Sequence, residues 1–232
     1  MRFRAVVFDL DGTLVDSAPA IRGIANRFLG EHDAAPLTLE ETRRFIGEGA
    51  ETFLRRTLDA RGLSAQGETF AARLRRFREV YAEAPGEENH PFEGVEAALA
   101  ALAAAGAALG LCTNKPARPT ANVLRALGWE RIFGTVVAGD TLPTRKPDPA
   151  PLRHAAERLG VAMADTLYVG DSETDAATAE AAQAAFALWP RGYRKGPAEA
   201  IRRDHWLTDF AELVPLARGE ALRPSPPRSP TV

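Results

Sequence analysis

The chain has 232 residues and a formal net charge of −2, and 45% of its residues are hydrophobic. These values predict a globular protein with a substantial core, and they give no reason to expect a nucleic acid or an anionic membrane as a partner. The single cysteine, Cys112, excludes an intramolecular disulfide and fits a reducing compartment. No stretch resembles a membrane span or a signal peptide, so we expect a cytoplasmic protein.

The first predicted element is a buried strand that leads into an acidic turn. The apolar run Ala5–Phe8 precedes Asp9-Leu10-Asp11-Gly12-Thr13-Leu14, and a short apolar run of this kind is typical of a buried strand. Asp9 and Asp11 follow its carboxyl end, where parallel sheets bind ligands. Two acids this close repel each other, so they need a cation, a proton or different roles. The alternative is a plain helix start capped by Asp11 or Thr13.

A run of helices without any strand signal follows. Helices are predicted from Asp16 or Ser17 to about Leu29, from a capping box at Thr38 and Glu41 to about 46, and over 50–60 and 66–84. The polar, proline-flanked segment 85–91 is typical of a linker. The predicted domains are therefore a helical insertion (17–84), a catalytic core (1–16 and 85–223) and a Pro- and Ser-rich disordered tail (224–232).

Strands and helices alternate in the rest of the chain. Helices are predicted at 94–105, 116–127, 149–159 and 172–182, and strands at 107–113, 135–138, 166–169 and 185–189. This alternation is typical of a parallel sheet wrapped by helices, with the carboxyl ends of the strands on one edge. The predicted fold class is α/β, with a Rossmann-like parallel sheet core and an inserted helical cap.

Polar side chains follow the predicted strands. Besides Asp9 and Asp11, they are Thr113-Asn114-Lys115, Lys146-Pro147-Asp148, and Asp171 with Asp175. This set contains no histidine, which leaves a carboxylate as the candidate nucleophile.

These residues suggest phosphoryl transfer. An acidic cluster such as Asp9, Asp11 and Asp171 would bind Mg²⁺ through hard oxygen ligands, and the metal would screen the charge of an incoming phosphate from Asp9. The phosphate oxygens would contact a second group of side chains, namely Thr113, Asn114 and Lys146. Asp11 is placed to protonate the leaving alkoxide and then to deprotonate the attacking water.

Four motifs resemble the haloacid dehalogenase superfamily of phosphotransferases. They are Asp9-x-Asp11-Gly12-Thr13-Leu14, Thr113-Asn114, Lys146-Pro147-Asp148 and Gly170-Asp171-x-x-x-Asp175. The resemblance extends from Arg2 to about Leu216. It implies that Asp9 is the nucleophile, that Asp11 is the acid and base, and that Thr113 and Lys146 hold phosphate.

The same resemblance implies a ligand set for Mg²⁺ and a cap of the family's first type. The Asp9 carboxylate, the Asp11 backbone carbonyl and Asp171 would bind the metal, while Asp175 would support the site, directly or through water. Residues 17–84 would form the cap, which excludes water and selects small substrates.

Within the superfamily the chain is most similar to phosphoglycolate phosphatases. The segments that carry this likeness are Phe45–Ala50, Ala155–Gly160 and Gly192–Lys195. By resemblance, Gly47, Glu48 and Gly49 form a substrate-specificity loop. We interpret Cys112 as a small core residue and Tyr193, Arg194 and Lys195 as a surface loop. Gln183-Ala184-Ala185 stands where relatives usually carry a glycine, so the turn geometry there is open.

The leading hypothesis is an Mg²⁺-dependent phosphatase for a small phosphorylated metabolite, and 2-phosphoglycolate is the leading candidate substrate. We expect a monomer or homodimer. A phosphatase or mutase for another sugar phosphate is a close alternative. Hydrolytic dehalogenation also uses a carboxylate nucleophile, but a halide leaving group needs no proton from Asp11. A catalytically silent module that binds a phosphorylated ligand is the alternative from a different class.

Overall fold

The centre of the molecule is a parallel β-sheet. The computed structural model describes residues 1–220. Its strands are β1 (Ala5–Phe8), β2 (Val15–Asp16), β3 (His90–Pro91), β4 (Ala108–Cys112), β5 (Thr135–Val137), β6 (Thr166–Gly170), β7 (Ala185–Leu188) and β8 (His205–Trp206). Six of them form one sheet in the order β5-β4-β1-β6-β7-β8, and all neighbours are parallel. The carboxyl ends of these strands therefore share one edge.

Helices cover the sheet and form the insertion. They are α1 (Ala18–Gly30), α2 (Leu39–Phe45), α3 (Ala50–Asp59), α4 (Gly67–Glu83), α5 (Val95–Ala104), α6 (Ala117–Ala126), α7 (Ala150–Arg158), α8 (Glu173–Ala182) and α9 (Leu213–Arg218). Short 3₁₀ turns lie at Met163–Asp165, Ala198–Ala200 and Phe210–Glu212. Every helix and strand that the sequence predicted is present, with ends within one or two residues, and the α/β fold class is confirmed.

The first strand lies in the middle of the sheet. Val7 pairs with Gly110 of β4 on one side and with Tyr168 of β6 on the other. All four residues of β1 are fully buried because helices cover both faces. The backbone N–H of Asp9 continues the ladder by donating to the Val169 carbonyl at 2.9 Å. The central position of β1 thus places Asp9 at the middle of the ligand-binding edge.

The four helices α1–α4 lie between β2 and β3 and have a hydrophobic core of their own. The rings of Phe28 and Phe77 meet edge to face at 5.5 Å between centroids, and Phe53 stacks on Phe77 at 5.9 Å. The predicted capping box is confirmed, since Thr38 accepts from the Glu41 N–H at 3.1 Å and donates its own N–H to the Glu41 carboxylate at 2.8 Å. The inserted helical unit is thus present, whereas its predicted residue limits stay a prediction.

Several short elements escaped the sequence analysis. β2 and β3 form an antiparallel ladder, Val15 with Pro91 and Asp16 with His90, where a linker was predicted. Strands of two residues are too short to show a periodic pattern. The C-terminal helix α9 was also missed, because it has only six residues and contains Pro215. The β2–β3 ladder holds together the two chain segments that enter and leave the insertion.

Tyr193 contradicts its interpretation as part of a surface loop. Its side chain is buried and packs with the hydrophobic core of the insertion. Its hydroxyl accepts from the Ala18 N–H at 2.9 Å and donates to Asp16 Oδ1 at 2.5 Å. The neighbouring Arg194 and Lys195 made the segment polar, and a lone aromatic residue has no periodicity that predicts burial. Tyr193 connects the loop after β7 to the start of α1.

The turn after α8 is resolved without a glycine. Gln183 caps the helix in the left-handed region, with φ of +62°. A glycine is the usual residue there, and another residue costs about 1 kcal/mol or more. The turn after α8 therefore has the usual left-handed backbone conformation, although a residue with a side chain is less stable there than glycine.

Within residues 1–220, no helix is long and apolar enough to cross a membrane. The longest helix, α4, has 17 residues and carries four arginines. The predicted tail at 224–232 lies outside the described residues.

We predict that Phe77→Ala lowers the free energy of unfolding by about 3–5 kcal/mol, because it removes the ring against which Phe28 and Phe53 pack. Arg75→Ala is a matched control, since Arg75 is exposed on the same helix, and it should change stability by less than about 0.5 kcal/mol. Denaturant unfolding followed by circular dichroism measures both. Equal stabilities for the two variants would contradict a close-packed insertion.

Candidate active site

A cavity lies between the carboxyl edge of the sheet and the helical insertion. Its wall combines residues from both parts, namely Asp9, Asp11, Ile21, Ile46, Gly47, Gly49, Ala50, Phe53, Tyr81, Thr113, Asn114, Lys115 and Pro116. Residues of the first two strand-end motifs thus meet at this wall, although Asp11 and Lys115 are 104 residues apart in sequence. The insertion contributes the apolar part of the wall.

Lys146 connects two carboxylates below this cavity. Its Nζ lies 2.9 Å from Asp9 Oδ1 and 2.7 Å from Asp175 Oδ1. Burial alone would lower the pKa of the lysine, but Asp175 and Asp9 outweigh it and hold that pKa well above its usual range. Lys146 therefore remains positively charged beside Asp9.

Asp175 is the most heavily hydrogen-bonded carboxylate of the site. Its Oδ1 accepts from Lys146 and from the Tyr168 hydroxyl at 2.8 Å, and its Oδ2 accepts from the Ser172 hydroxyl at 2.6 Å and from the N–H groups of Ser172 and Asp171. Burial raises the pKa of Asp175, but Lys146 and these hydrogen bonds outweigh burial, and the net shift is downward. Its contacts make Asp175 a residue that positions Lys146 and the turn after β6.

Asp171 is held in a tight backbone cradle. Its Oδ1 accepts from the Thr13 hydroxyl at 2.8 Å and its Oδ2 from the Tyr193 N–H at 2.5 Å. A Cβ at Gly12 would come within 2.6 Å of Oδ2, and one at Gly192 within 2.2 Å. Both positions therefore require glycine. Burial, and then the charges of Asp175 and Asp9, raise the pKa of Asp171 well above its usual range.

The residues present fit a divalent cation. Asp9, Asp171 and Asp175 each offer a carboxylate oxygen, and these oxygens lie within 4.8 Å of one another. Burial also raises the pKa of Asp9 to about 6, and Asp9 Oδ1 has no hydrogen bond of good geometry although Lys146 is near. Buried carboxylates that repel each other are the donor set that a hard cation favours. Because five donors already occupy Asp175, Asp9 and Asp171 are the better candidates for direct contact.

Asp11 faces a lysine that the sequence analysis left without a role. Lys115 Nζ lies 2.9 Å from Asp11 Oδ1 and 3.0 Å from the hydroxyl of Tyr81 on α4. Burial would lower the pKa of Lys115, but Asp11 and Tyr81 raise it above the usual range. The position of Lys115 directly after Thr113-Asn114 was a usable signal. Tyr81 had none, because it lies on the apolar stripe of its helix.

Thr113 and Asn114 were predicted to hold phosphate, and the structure places both on the cavity wall. Asn114 donates its side-chain amide to the Gly47 carbonyl at 3.1 Å and to the Lys146 carbonyl at 3.0 Å. Both of its N–H bonds are thereby used, and its buried Oδ1 has no partner. Thr113 Oγ1 accepts from the Lys115 N–H at 3.2 Å, which leaves the hydroxyl proton for a ligand. Asn114 thus links the insertion to the core.

The predicted specificity loop divides into two parts. Gly47 and Gly49 line the cavity, whereas the Glu48 carboxylate contacts Arg56 at 2.7 Å and forms a close ion pair with Lys195. Burial raises the pKa of Glu48, but Lys195 and Arg56 together lower it below its usual range. Glu48 therefore joins the insertion to the loop after β7, and the glycine backbone faces the cavity.

Comparison with known proteins decides the family. Residues 3–183 match the model of the haloacid dehalogenase-like hydrolases. The chain belongs to this family. It is 44% identical over 213 residues to a phosphoglycolate phosphatase of Cereibacter sphaeroides, which covers 92% of this chain and 97% of that protein.

Two crystal structures support the same assignment. A predicted phosphoglycolate phosphatase from Haemophilus somnus superposes with a TM-score of 0.86 and 29% identity, over 93% of this chain and 98% of that one. CbbY from Rhodobacter sphaeroides, solved in complex with phosphate, superposes with a TM-score of 0.74 and 25% identity, over 91% of this chain and 96% of that one. The chain is thus a phosphoric monoester hydrolase that resembles phosphoglycolate phosphatases.

We predict that the metal-free protein loses stability through Asp9 as the pH rises. The pKa of Asp9 is raised from 3.8 to about 6 in the folded state, so its contribution is fully present below pH 3.8 and is lost as the pH passes 6. The loss amounts to about 2–3 kcal/mol. In EDTA, Asp9→Asn should therefore exceed the wild type by that amount near pH 7.5, and by less than about 1 kcal/mol near pH 4.

Denaturant unfolding at the two pH values measures this difference. Asp59→Asn is the matched control, because Asp59 is exposed on α3 and lies outside the buried acid cluster, and its free energy of unfolding should stay within about 0.5 kcal/mol of the wild type. A wild-type protein that matches Asp9→Asn at both pH values would contradict a raised pKa for Asp9.

Proposed function

We propose that this hydrolase converts 2-phosphoglycolate to glycolate and phosphate through an aspartyl phosphate on Asp9, with Mg²⁺ as cofactor. The observation that carries the mechanism is the position of Asp9, which ends the central strand and combines a buried carboxylate with Lys146 at 2.9 Å. The identity to phosphoglycolate phosphatases over nearly the whole chain supports the substrate. The related CbbY was solved in complex with phosphate, which supports a phosphorylated substrate for this chain.

In the first step the Asp9 carboxylate attacks phosphorus and the ester P–O bond breaks. Asp11 protonates the departing alkoxide, which becomes the hydroxyl of glycolate. Asp11 carries this proton at the start of the reaction, and Lys115, 2.9 Å from its Oδ1, fixes the direction of the side chain within the cavity. The Thr113 hydroxyl and Lys146 hold oxygens of the phosphoryl group.

In the second step water attacks the aspartyl phosphate. Asp11, now deprotonated, accepts a proton from this water, and the bond between phosphorus and Asp9 breaks to release phosphate. Mg²⁺, held by Asp9, Asp171 and the Asp11 carbonyl, would neutralise carboxylate repulsion and phosphoryl charge. Asp175 acts by keeping Lys146 in place and supports the metal site indirectly.

The insertion favours a small substrate. Ile21, Ile46 and Phe53 line the cavity, and an apolar wall of this kind would exclude bulk water and strengthen the electrostatic contacts inside. A short leaving group fits this wall better than a nucleic acid. We further propose a cytoplasmic enzyme that acts as a monomer or homodimer, in keeping with the single buried Cys112.

The test incubates the protein with Mg²⁺ and 2-phosphoglycolate, several sugar phosphates or a chlorinated acid, and measures released phosphate, isomerised sugar phosphate and released chloride. We expect the highest kcat/KM for 2-phosphoglycolate. Asp9→Asn should show no turnover, and Asp11→Asn should lower kcat by about 10²–10⁴. Asp59→Asn, on an exposed helix position, should match the wild type. Unchanged turnover in Asp9→Asn would refute the nucleophile, and isomerised sugar phosphate or released chloride would replace the proposed reaction.

A further inference from the structure

A cleft with three exposed arginines adjoins the catalytic cavity. It lies between helices α3 and α4 of the insertion and the loops that follow β4 and β5, and its arginines are Arg78, Arg118 and Arg145. The cleft and the cavity share four wall residues, namely Ala50, Tyr81, Asn114 and Pro116. A charged group at the inner end of this cleft is therefore next to the space that holds the leaving group.

Arg145 is the arginine of this cleft that reaches the cavity wall. A Cβ at Gly49 would come within 3.1 Å of its Nη1 and within 3.5 Å of the Asn114 carbonyl oxygen. Gly49 has φ of +87°, which a residue with a side chain rarely adopts. Because Gly49 lines the cavity, the Arg145 guanidinium lies directly beside a residue of the cavity wall.

The charges inside the cavity leave no lysine for a second anionic group. Lys115 is paired with Asp11, and Lys146 is paired with Asp9 and Asp175. Arg145 differs from both, because in the part of the chain that the structure describes its guanidinium has no hydrogen bond or ion pair. Within the described part of the chain, the Arg145 guanidinium is therefore a positive charge without a partner, and it could bind a second negative group of a substrate, in addition to its phosphate.

We propose that Arg145 determines specificity by binding a carboxylate on the leaving group of a short phosphate monoester. This inference rests on the proposed function and assigns a residue to recognition of the glycolate end. The planar guanidinium can bind a carboxylate through two parallel N–H donors. With the phosphate at Asp9 and Lys146, the carboxylate end of the substrate lies toward Gly49.

General electrostatic attraction is the competing explanation. Three exposed arginines could raise the local concentration of any anion without direct contact. In that case Arg118 and Arg145 would be equivalent, and every phosphate ester would be affected alike. Direct recognition instead requires that only Arg145 matters, and only for a substrate with a carboxylate.

The experiment compares the wild type with Arg145→Gln, Arg145→Lys and Arg118→Gln on two esters in Mg²⁺. The esters are 2-phosphoglycolate and ethyl phosphate, which has the same length and no carboxylate. Arg145→Gln should lower kcat/KM for 2-phosphoglycolate by about 10- to 100-fold and leave ethyl phosphate within about twofold. Arg145→Lys should lower kcat/KM for 2-phosphoglycolate less than Arg145→Gln does. Arg118→Gln should match the wild type on both esters.

The remaining outcomes overturn the inference in distinguishable ways. Equal losses on both esters would make Arg145 a structural residue, and equal losses in Arg118→Gln would favour general attraction. If the wild type and Arg145→Gln hydrolyse 2-phosphoglycolate equally well, the assignment of Arg145 fails and the proposed function stands. If the wild type hydrolyses ethyl phosphate but not 2-phosphoglycolate, or hydrolyses neither ester, both proposals fail together.

Discussion

The ion pairs of Lys146 are the interaction on which the site depends. One buried ammonium group contacts the carboxylates of Asp9 and Asp175 at 2.9 and 2.7 Å. Charges are costly to bury unless they are paired, and removing one partner from such a group leaves an unpaired charge inside the protein. The three residues come from the position directly after β1, from the loop after β5 and from α8, so this cluster connects the end of the central strand to two other segments. The same pairing keeps Asp9 close to a positive charge.

The insertion and the core are connected at several points around the cavity. Asn114 donates to the Gly47 carbonyl, Tyr81 contacts Lys115, and Tyr193 contacts Asp16 and the first N–H of α1. Together these contacts join the core to the insertion and to the segment that leads into it. The position of the insertion is therefore coupled to the orientation of Lys115, and through it to Asp11.

The fold was predictable because its signals are local. Apolar runs such as Ala5–Phe8 and the capping box at Thr38 specify elements without any distant partner, and the parallel sheet follows from their alternation. The strand-end acids were found for the same reason, since a strand places its next residue at the ligand edge. Tyr193 and Tyr81 could not be found in this way. Their hydroxyl groups bind partners more than 30 residues away in sequence, and a local pattern does not show such partners. An aromatic ring on an apolar stripe is also what a residue of a hydrophobic core would have.

The glycines show how backbone space, more than side-chain chemistry, shapes this site. Gly12 and Gly192 leave room for the Asp171 carboxylate, and Gly49 leaves room for the Arg145 guanidinium. A Cβ at Gly12 or Gly192 would clash with the Asp171 carboxylate, and one at Gly49 would crowd the Arg145 guanidinium. Sequence reasoning identifies such a glycine as a turn residue, because the group that fills the space comes from another segment. The glycines beside the strand-end acids thus determine how closely charged groups from other segments can approach.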